Sequence, residues 1–305
     1  MTKIFNLRGF SPKGFSPKGF SLIELSIVIL IIGILVAGVT QSSRLISQMR
    51  LVSTRSITQG SSIPSIQGLV AWWECCDEKT FLENEANNNS LISTWNDLNP
   101  TSTSKSNLVQ SNTLSQPTYI SSSINNLPSL RFDGSDRFTT NNFFSETFSV
   151  FVVLRTSIAG NGNSSSQAYL GSAIIGADTP GTANDIIPLA IGGGFIKIFT
   201  GNSETTLTSP ITVNDNKPYL IFSSRNIANG NRTLMINNSN LVSDNLGGTT
   251  PLNSNPQVGI GADSNLGATP FSGDISEVIV FNRILSTEER TSISQYLAKK
   301  YAIKL

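Results

Sequence analysis

Glu24 is the only charged side chain between Phe20 and Val39, in a segment that is otherwise apolar. As an α-helix, residues 20–39 would extend about 30 Å, which is the thickness of the hydrocarbon core of a bilayer. An ionisable group in hydrocarbon is costly and usually marks a function. The chemistry open to this carboxylate is pairing with a cation, because opposite charges hold each other strongly at low dielectric.

The residue inventory excludes several kinds of catalysis. The chain has no histidine, so Ser-His-Asp and Cys-His nucleophile systems and histidine metal ligands are absent. The only cysteines, Cys75 and Cys76, are adjacent and can neither close a loop within the chain nor supply the four ligands of a structural zinc. Two free thiols and a strained vicinal disulfide both remain open for this pair.

Two further groups of residues could bind a ligand. Asp133 and Asp136 flank Gly134-Ser135 and could offer oxygen ligands to calcium, although an Asp/Gly turn between strands is the interpretation we favour. Trp72 and Trp73 could form a platform on which sugars stack, together with Trp95, whereas large aromatic residues more often belong to a core. No cofactor is predicted beyond this calcium alternative.

Charge sets the orientation of the chain and limits its partners. The net charge of +1 over 305 residues shows no basic excess, so nucleic acid is not a predicted partner. Residues 1–19 carry basic side chains and no acidic one, and these are Lys3, Arg8, Lys13 and Lys18. The positive-inside rule therefore keeps this leader in the cytoplasm and sends the chain after Val39 across the membrane.

The apolar segment is predicted to continue as one helix over residues 20–59, because no Gly or Pro follows it before Gly60. Residues 60–67 are rich in Ser, Gly and Pro and are predicted to be a linker. Three arginines on the second half of the helix have no acidic neighbour in sequence, and they are Arg44, Arg50 and Arg55. They are either solvated or paired with another chain.

Residues 68–305 are predicted to form an antiparallel β-sandwich, which gives the whole chain an α+β class. Short β-branched and aromatic runs alternate with Asn, Ser, Gly and Asp clusters at residues 129–132, 148–154, 169–175, 186–191, 195–199, 219–223, 233–236, 257–260 and 274–281. The runs 148–154 and 278–281 are apolar on both faces, which predicts central strands covered on each side. A capping box at 286–289 precedes a short amphipathic helix whose apolar face holds Ile293, Tyr296, Leu297 and Tyr301.

The amino-terminal segment resembles that of type IV pilins and type II secretion pseudopilins. The residues that carry this resemblance are Gly19-Phe20, Glu24 and the apolar run behind them. It implies that a prepilin peptidase cuts after Gly19, that Phe20 is then N-methylated, and that Glu24 pairs with the terminal amine of a neighbouring subunit during assembly.

The remainder resembles laminin-G-like, concanavalin A-like jelly rolls, through the segments 68–72, 95–97, 127–134, 148–153, 273–282 and 285–297. In that family the fold serves carbohydrate binding, protein adhesion, calcium-assisted recognition and glycan cleavage, so the fold alone does not define an activity. Glycanases of this fold place two glutamates and an aspartate along one strand. The nearest approach here, Glu83 and Glu85, lies in an Asn-rich loop, so an enzyme is not predicted.

Together these patterns predict a minor or tip subunit of a type IV pilus or a type II secretion-like filament, with an adhesive or carbohydrate-recognising jelly-roll head. The alternative is a membrane-anchored, lectin-like surface protein that does not assemble into a filament. The implied partners are a prepilin peptidase, other pilin subunits, the bacterial inner membrane and a surface glycan or protein. The expected location is the inner membrane, with a cytoplasmic leader and an exported head, and then a filament at the cell surface.

Overall fold

The computed structural model describes residues 21–161, 171–179, 186–200, 205–252, 255–264 and 269–305. The chain divides into two compact units, Met1–Met49 and Arg50–Leu305. The predicted leader, Gly19 and Phe20 lie outside the described residues, as does the first part of the predicted strand at 169–175.

One long helix, α1, runs from Leu22 to Gln59 and ends just before Gly60, as the sequence predicts. In the first unit its apolar side chains are exposed all round, so the helix has no buried face there. By length and composition it could cross a membrane, and among the described residues it is the one helix with that property. Its last turns, from Arg50 to Gln59, belong to the second unit.

The second unit contains two packed β-sheets, so the predicted sandwich is confirmed. The first sheet has the order β14-β13-β12-β7-β17-β5-β4, with β1 paired to the second half of β17. Its strands are β1 (Leu69–Glu74), β4 (Thr118–Ile120), β5 (Ser129–Asp133), β7 (Phe148–Arg155), β12 (Pro218–Asn226), β13 (Asn231–Ile236), β14 (Ser239–Asp244) and β17 (Ser272–Phe281).

The second sheet has the order β11-β10-β9-β8-β15-β6-β3-β2. Its strands are β2 (Thr94–Trp95), β3 (Leu108–Val109), β6 (Phe138–Asn141), β8 (Ser172–Gly176), β9 (Ile186–Gly192), β10 (Phe195–Thr200), β11 (Leu207–Thr212), β15 (Gln257–Ile260) and β16 (Thr269–Pro270). Strand β16 pairs with β8 in parallel, and the other pairings among the described strands are antiparallel. Strands β2, β3, β4 and β16 were missed, because two or three residues are too few to show alternation. The nine predicted runs also left out β1, β6, β11 and β14, which have four to six residues.

Strand β7 shows how the first sheet is covered on both faces. Val150, Val152 and Leu154 point into the core between the sheets, whereas Phe151 and Val153 point into a second cluster on the outer face. This alternation follows from the two-residue period of a strand. The prediction of a central strand with two apolar faces is therefore confirmed.

The outer face of the first sheet is covered by helices. Helix α2 (Thr287–Tyr301) begins with the predicted capping box, in which Ser286 and Glu289 bond each other's backbone N–H. Its buried face packs on the outer cluster, together with Leu51 and Ile57 from the end of α1. Part of the predicted linker joins this layer too, because Ile63 is fully buried there.

Candidate functional sites

Glu24 lies in the first turn of α1 and caps the start of the helix. The Ser21 N–H donates to Glu24 Oε2 at 2.9 Å, and the Ile23 N–H donates to Ser21 Oγ at 3.3 Å. A negative charge is stabilised at this end by the helix dipole and the free N–H groups. The side chain is exposed, so its carboxylate is open to a partner outside its own helix.

A second group of charged residues, which sequence analysis missed, is buried beneath α2. The Lys300 side chain has no exposed surface, and its Nζ donates to Glu74 Oε2 at 2.9 Å and to Glu277 Oε2 at 2.8 Å. The same Nζ lies 2.9 Å from Thr58 Oγ1, on the last turn of α1, and 3.1 Å from the Tyr296 hydroxyl. One ammonium group therefore joins two strands and both helices.

Glu277 is the most heavily bonded acid of this cluster. Besides Lys300, it accepts hydrogen bonds from Trp72 Nε1 at 2.7 Å and from the hydroxyls of Tyr296 and Tyr301 at 2.8 Å. Buried charges persist only when they are paired and hydrogen-bonded. We use the name Lys300 cluster for Lys300, Glu74, Glu277, Tyr296 and Tyr301.

Glu74 and Glu277 face each other as register partners on β1 and β17. Like charges directly opposite on neighbouring strands repel. Burial raises the pKa of Glu74, but the Lys300 ammonium and the backbone N–H groups of Cys76 and Asp77 outweigh it and hold that pKa below its usual value. The stability that Glu74 contributes is therefore present at neutral pH and is lost as the pH falls.

Only part of this cluster was visible in the sequence. The apolar face of α2 was predicted as Ile293, Tyr296, Leu297 and Tyr301, and all four are buried. Lys300 was left out because it is charged, although it lies four residues after Tyr296 on the same face. That spacing was the available signal, whereas its acidic partners are too distant in sequence to be recognised.

Two of the three arginines on α1 make contacts in the second unit. Arg55 Nε donates to the Cys76 carbonyl at 3.0 Å, and Arg50 lies 3.4 Å from the Asn125 carbonyl. From the sequence we expected these arginines to be solvated or paired with another chain. In the structure Arg50 and Arg55 each have a backbone carbonyl of the second unit as acceptor instead. The side chain of Arg44 lies outside the described residues.

A polar groove runs along the surface where the end of α1 meets α2. Its volume is about 590 Å³, and its lining is rich in serine hydroxyls, with Ser62 Oγ 2.9 Å from Ser292 Oγ. Tyr296 forms part of the lining, so the groove lies directly outside the Lys300 cluster.

The adjacent cysteines point to opposite sides of the first sheet. Cys75 belongs to the core between the sheets, whereas Cys76 belongs to the outer cluster, and both thiols are free and buried. Burial is the main cause that raises the pKa of each thiol well above its usual value. Side chains on opposite faces of a sheet cannot reach disulfide geometry without backbone movement. Of the two alternatives, this structure favours free thiols.

We therefore expect two thiols per chain when the purified protein is unfolded in denaturant without a reductant. In the native protein both should be unreactive, because a buried, protonated thiol is a poor nucleophile. A thiol-reactive dye measured with and without denaturant tests this. Finding no thiols in the unfolded chain would show that the vicinal disulfide forms.

Asp133 and Asp136 form the turn that the sequence favoured. Asp133 Oδ1 accepts from the N–H and hydroxyl of Ser135, and Asp136 Oδ2 accepts from the Asp133 N–H at 2.9 Å. Gly134 has a φ of +98°, which suits glycine. Both carboxylates thus bond to the turn itself. Among the described residues, no group of three or more His, Cys, Asp or Glu side chains is arranged to hold a metal ion.

Asp136 is only 5% exposed, and burial raises its pKa to about 6, against a hydrogen bond from the Asp133 N–H that lowers it. An acid whose pKa is raised by folding destabilises the fold above that pKa. We expect Asp136→Asn to raise the free energy of unfolding by about 1–2 kcal/mol at pH 7.5 and to have no effect at pH 4. Urea unfolding at the two pH values measures this, and an equal effect at both would contradict it.

The three tryptophans and Glu85 are engaged within the fold. Trp72 is 4% exposed, and Trp73 and Trp95 are fully buried, so none offers an open face for a sugar to stack on. Their indole N–H groups donate to Glu277 Oε1, the Ser106 carbonyl and the Glu74 carbonyl. Glu85 accepts from the N–H and hydroxyl of Ser93, as a structural loop residue would.

One known family model matches the amino-terminal segment of the chain. The family model described as "Prokaryotic N-terminal methylation motif" matches residues 15–40. No curated protein matches the chain. The motif covers Gly19, Phe20 and Glu24, and it ends where the apolar part of α1 ends.

Comparison with solved structures matches the sandwich. Domain 4 of AbnA, a GH43 extracellular arabinanase from Geobacillus stearothermophilus, solved with arabinotriose, aligns over 74% of this chain and 98% of that chain at 15% identity, with a TM-score of 0.51. The botulinum neurotoxin serotype D binding domain aligns over 80% and 56% at 16% identity, with a TM-score of 0.52. Trypanosoma rangeli sialidase aligns over 78% and 34% at 12% identity, with a TM-score of 0.46. At these identities the first two comparisons show a shared jelly-roll fold.

Proposed function

We propose that this protein is a type IV pilin-like precursor whose jelly-roll head is carried on a filament as a minor or tip subunit. The observation that supports this most directly is Glu24, the single charge in the apolar residues 20–39, within a matched methylation motif. A carboxylate in hydrocarbon needs a cationic partner, and cleavage before Phe20 would create one.

The proposed maturation has two steps that the sequence motif supports. A prepilin peptidase cuts between Gly19 and Phe20, and the new amine of Phe20 is methylated. That amine directly precedes Ser21, whose N–H already bonds Glu24. In the assembled filament a neighbouring subunit's amine pairs with Glu24, because an ion pair in a dry bundle is stronger than a bond to a neutral N–H.

The size of the head supports a minor or tip position. The second unit extends from Arg50 to Leu305, and a body of this size on every subunit would crowd a main filament. In this proposal the protein is not an enzyme. The carboxylates of Glu83 and Glu85 lie on one loop, and Glu85 is engaged by Ser93. If this protein were the most abundant subunit in purified filaments, the minor-subunit role would be wrong.

The head is proposed to recognise a surface glycan or protein. The described surface of the sandwich is rich in Asn and Ser, whose neutral donors and acceptors suit sugar hydroxyls. One protein of similar fold was solved with arabinotriose, and another is described as a toxin's binding domain. A glycan array with the full chain in detergent, run with and without calcium, tests this. Absence of binding under both conditions would reduce the head to a structural cap.

The alternative is a membrane-anchored, lectin-like surface protein that stays outside filaments. Both alternatives share the exposed apolar helix and the sandwich. They differ at the amino terminus, because an anchor needs neither a cut before Phe20 nor a methyl group. The mass of the mature amino-terminal peptide, measured in the native bacterium, distinguishes them: a methylated Phe20 terminus supports the precursor, and an uncut chain contradicts it.

We expect Gly19→Val to abolish this processing, so that the leader remains on the chain. A branched side chain at the cut site blocks access of the peptidase to the peptide bond. The matched control is Gly14→Val, which changes an earlier Gly-Phe-Ser triplet that is followed by Pro17 and Lys18 and not by an apolar run. An immunoblot that resolves precursor from mature protein measures the effect, and cleavage of the Gly19 variant at the normal rate would show that the site is misassigned.

A further inference from the structure

The end of α1 is held on the sandwich by contacts of three kinds. Leu51 and Ile57 pack on the outer cluster. Arg55 Nε bonds the carbonyl of Cys76, two residues after the end of β1. Thr58 Oγ1 meets both Lys300 Nζ at 2.9 Å and the Tyr296 hydroxyl at 3.3 Å.

We propose that α2 is a clasp that fixes the last turns of α1 to the first sheet, with Lys300 as the residue that closes it. Lys300 is the one described side chain that bonds Thr58 on α1, Glu74 on β1 and Glu277 on β17 together. Through it, a pull or a rotation applied to residues 50–59 passes into the core strands of the sandwich.

The clasp is needed because residues 60–67, which connect α1 to the sandwich, do not form a stiff connection by themselves. Residues 60–67 begin Gly60-Ser61-Ser62, a composition that predicts a bend and not a stiff rod. With only this connection, α1 and the sandwich would swivel. Ser62 instead bonds Ser292 on α2, and Ile63 is buried against the same layer.

Charge makes the clasp depend on Lys300 in particular. The buried carboxylates of Glu74 and Glu277 oppose each other across neighbouring strands, and Lys300 is the cation between them. Removing one partner of a buried ion pair leaves an uncompensated charge, which is strongly destabilising. Without Lys300, the two acids would draw water into the layer between α2 and β1.

The use of the clasp rests on the proposed function, whereas its existence does not. A head presented at the end of a filament helix can transmit force only if the joint between them is stiff. The contacts at Thr58 are present in the unprocessed chain and need no second subunit.

Hydrogen exchange of the full chain in detergent tests the proposal. In Lys300→Met, we expect the amides of residues 53–59 to exchange at least about a hundredfold faster. The amides of β9, in the opposite sheet, serve as the internal reference for global unfolding. Lys299→Met is the matched control, because Lys299 is exposed on the same helix.

A milder pair of variants keeps the test informative if Lys300→Met fails to fold. Thr58→Val removes one hydroxyl from the clasp, and we expect about tenfold faster exchange at residues 53–59 with α2 unchanged. Thr54→Val is its control, because the Thr54 hydroxyl bonds the Arg50 carbonyl of its own helix and, among the described residues, has no bond to the Lys300 cluster. Exchange at wild-type rates in Thr58→Val would overturn the clasp, and this outcome is independent of whether Gly19 is cleaved.

Discussion

Filaments from cells that carry Glu24→Ala are expected to lack this protein, while its amount in the membrane stays at the wild-type level or rises. The substitution removes a charge from hydrocarbon, which favours insertion. It also removes the partner of the Phe20 amine, and a cation left unpaired in a dry bundle costs several kcal/mol. We expect incorporation to fall about a hundredfold, in line with a loss of about 3 kcal/mol.

Quantitative immunoblots of membranes and sheared filaments measure the two amounts separately. Glu24→Gln should fail like Glu24→Ala, because the amide keeps the shape and the helix cap but has no charge. Leu25→Ala is the control for a change at the next position, which is also exposed. Incorporation of Glu24→Gln at the wild-type level would show that the charge has no role in assembly.

Glu277→Ala is expected to lower the free energy of unfolding of the head by about 3–5 kcal/mol. Four donors lose their acceptor at once, and they are Lys300 Nζ, Trp72 Nε1 and the hydroxyls of Tyr296 and Tyr301. Domains are stable by only about 5–15 kcal/mol, so this is a large share of the total. Urea unfolding of the full chain in detergent, followed by tryptophan fluorescence, measures the change.

The matched control is Glu288→Ala, an exposed acid on the first turn of α2, for which only a small loss is expected, because its charge is favourable at the start of a helix but is screened by solvent. Glu277→Gln should lie between the two, because its amide oxygen still accepts but its charge is gone. A loss below about 1 kcal/mol in Glu277→Ala would mean that water replaces the carboxylate at little cost.

The central strands were predictable because their signals are local. Residues 150–154 carry apolar side chains at consecutive positions, and such a run indicates a strand with two covered faces whatever covers them. Leu51 and Ile57, at the end of α1, pack on one of these faces. The main cover, α2, was predicted as a helix by its capping box, although its exact contacts were not.

The chemistry of the head was less predictable than its fold. For the tryptophans at 72 and 73 the sequence favoured a core over a sugar platform but left both open, because residue type alone does not define exposure. The structure buries both rings and turns each indole N–H to an acceptor. Likewise, adjacent cysteines can be placed on one face or on two, and the structure places Cys75 in the core between the sheets and Cys76 in the outer cluster.

The sequence by itself determined the membrane helix, the single charge within it, the sandwich class and the capped helix α2, since each depends on composition or periodicity within one stretch of chain. Only the tertiary structure decided what Lys300 does. Its partners Thr58, Glu74 and Glu277 come from separate elements, up to 242 positions away in sequence. No periodicity in the sequence links such distant residues. Lys300 can therefore connect α1, β1 and β17 only when these elements and α2 are packed together.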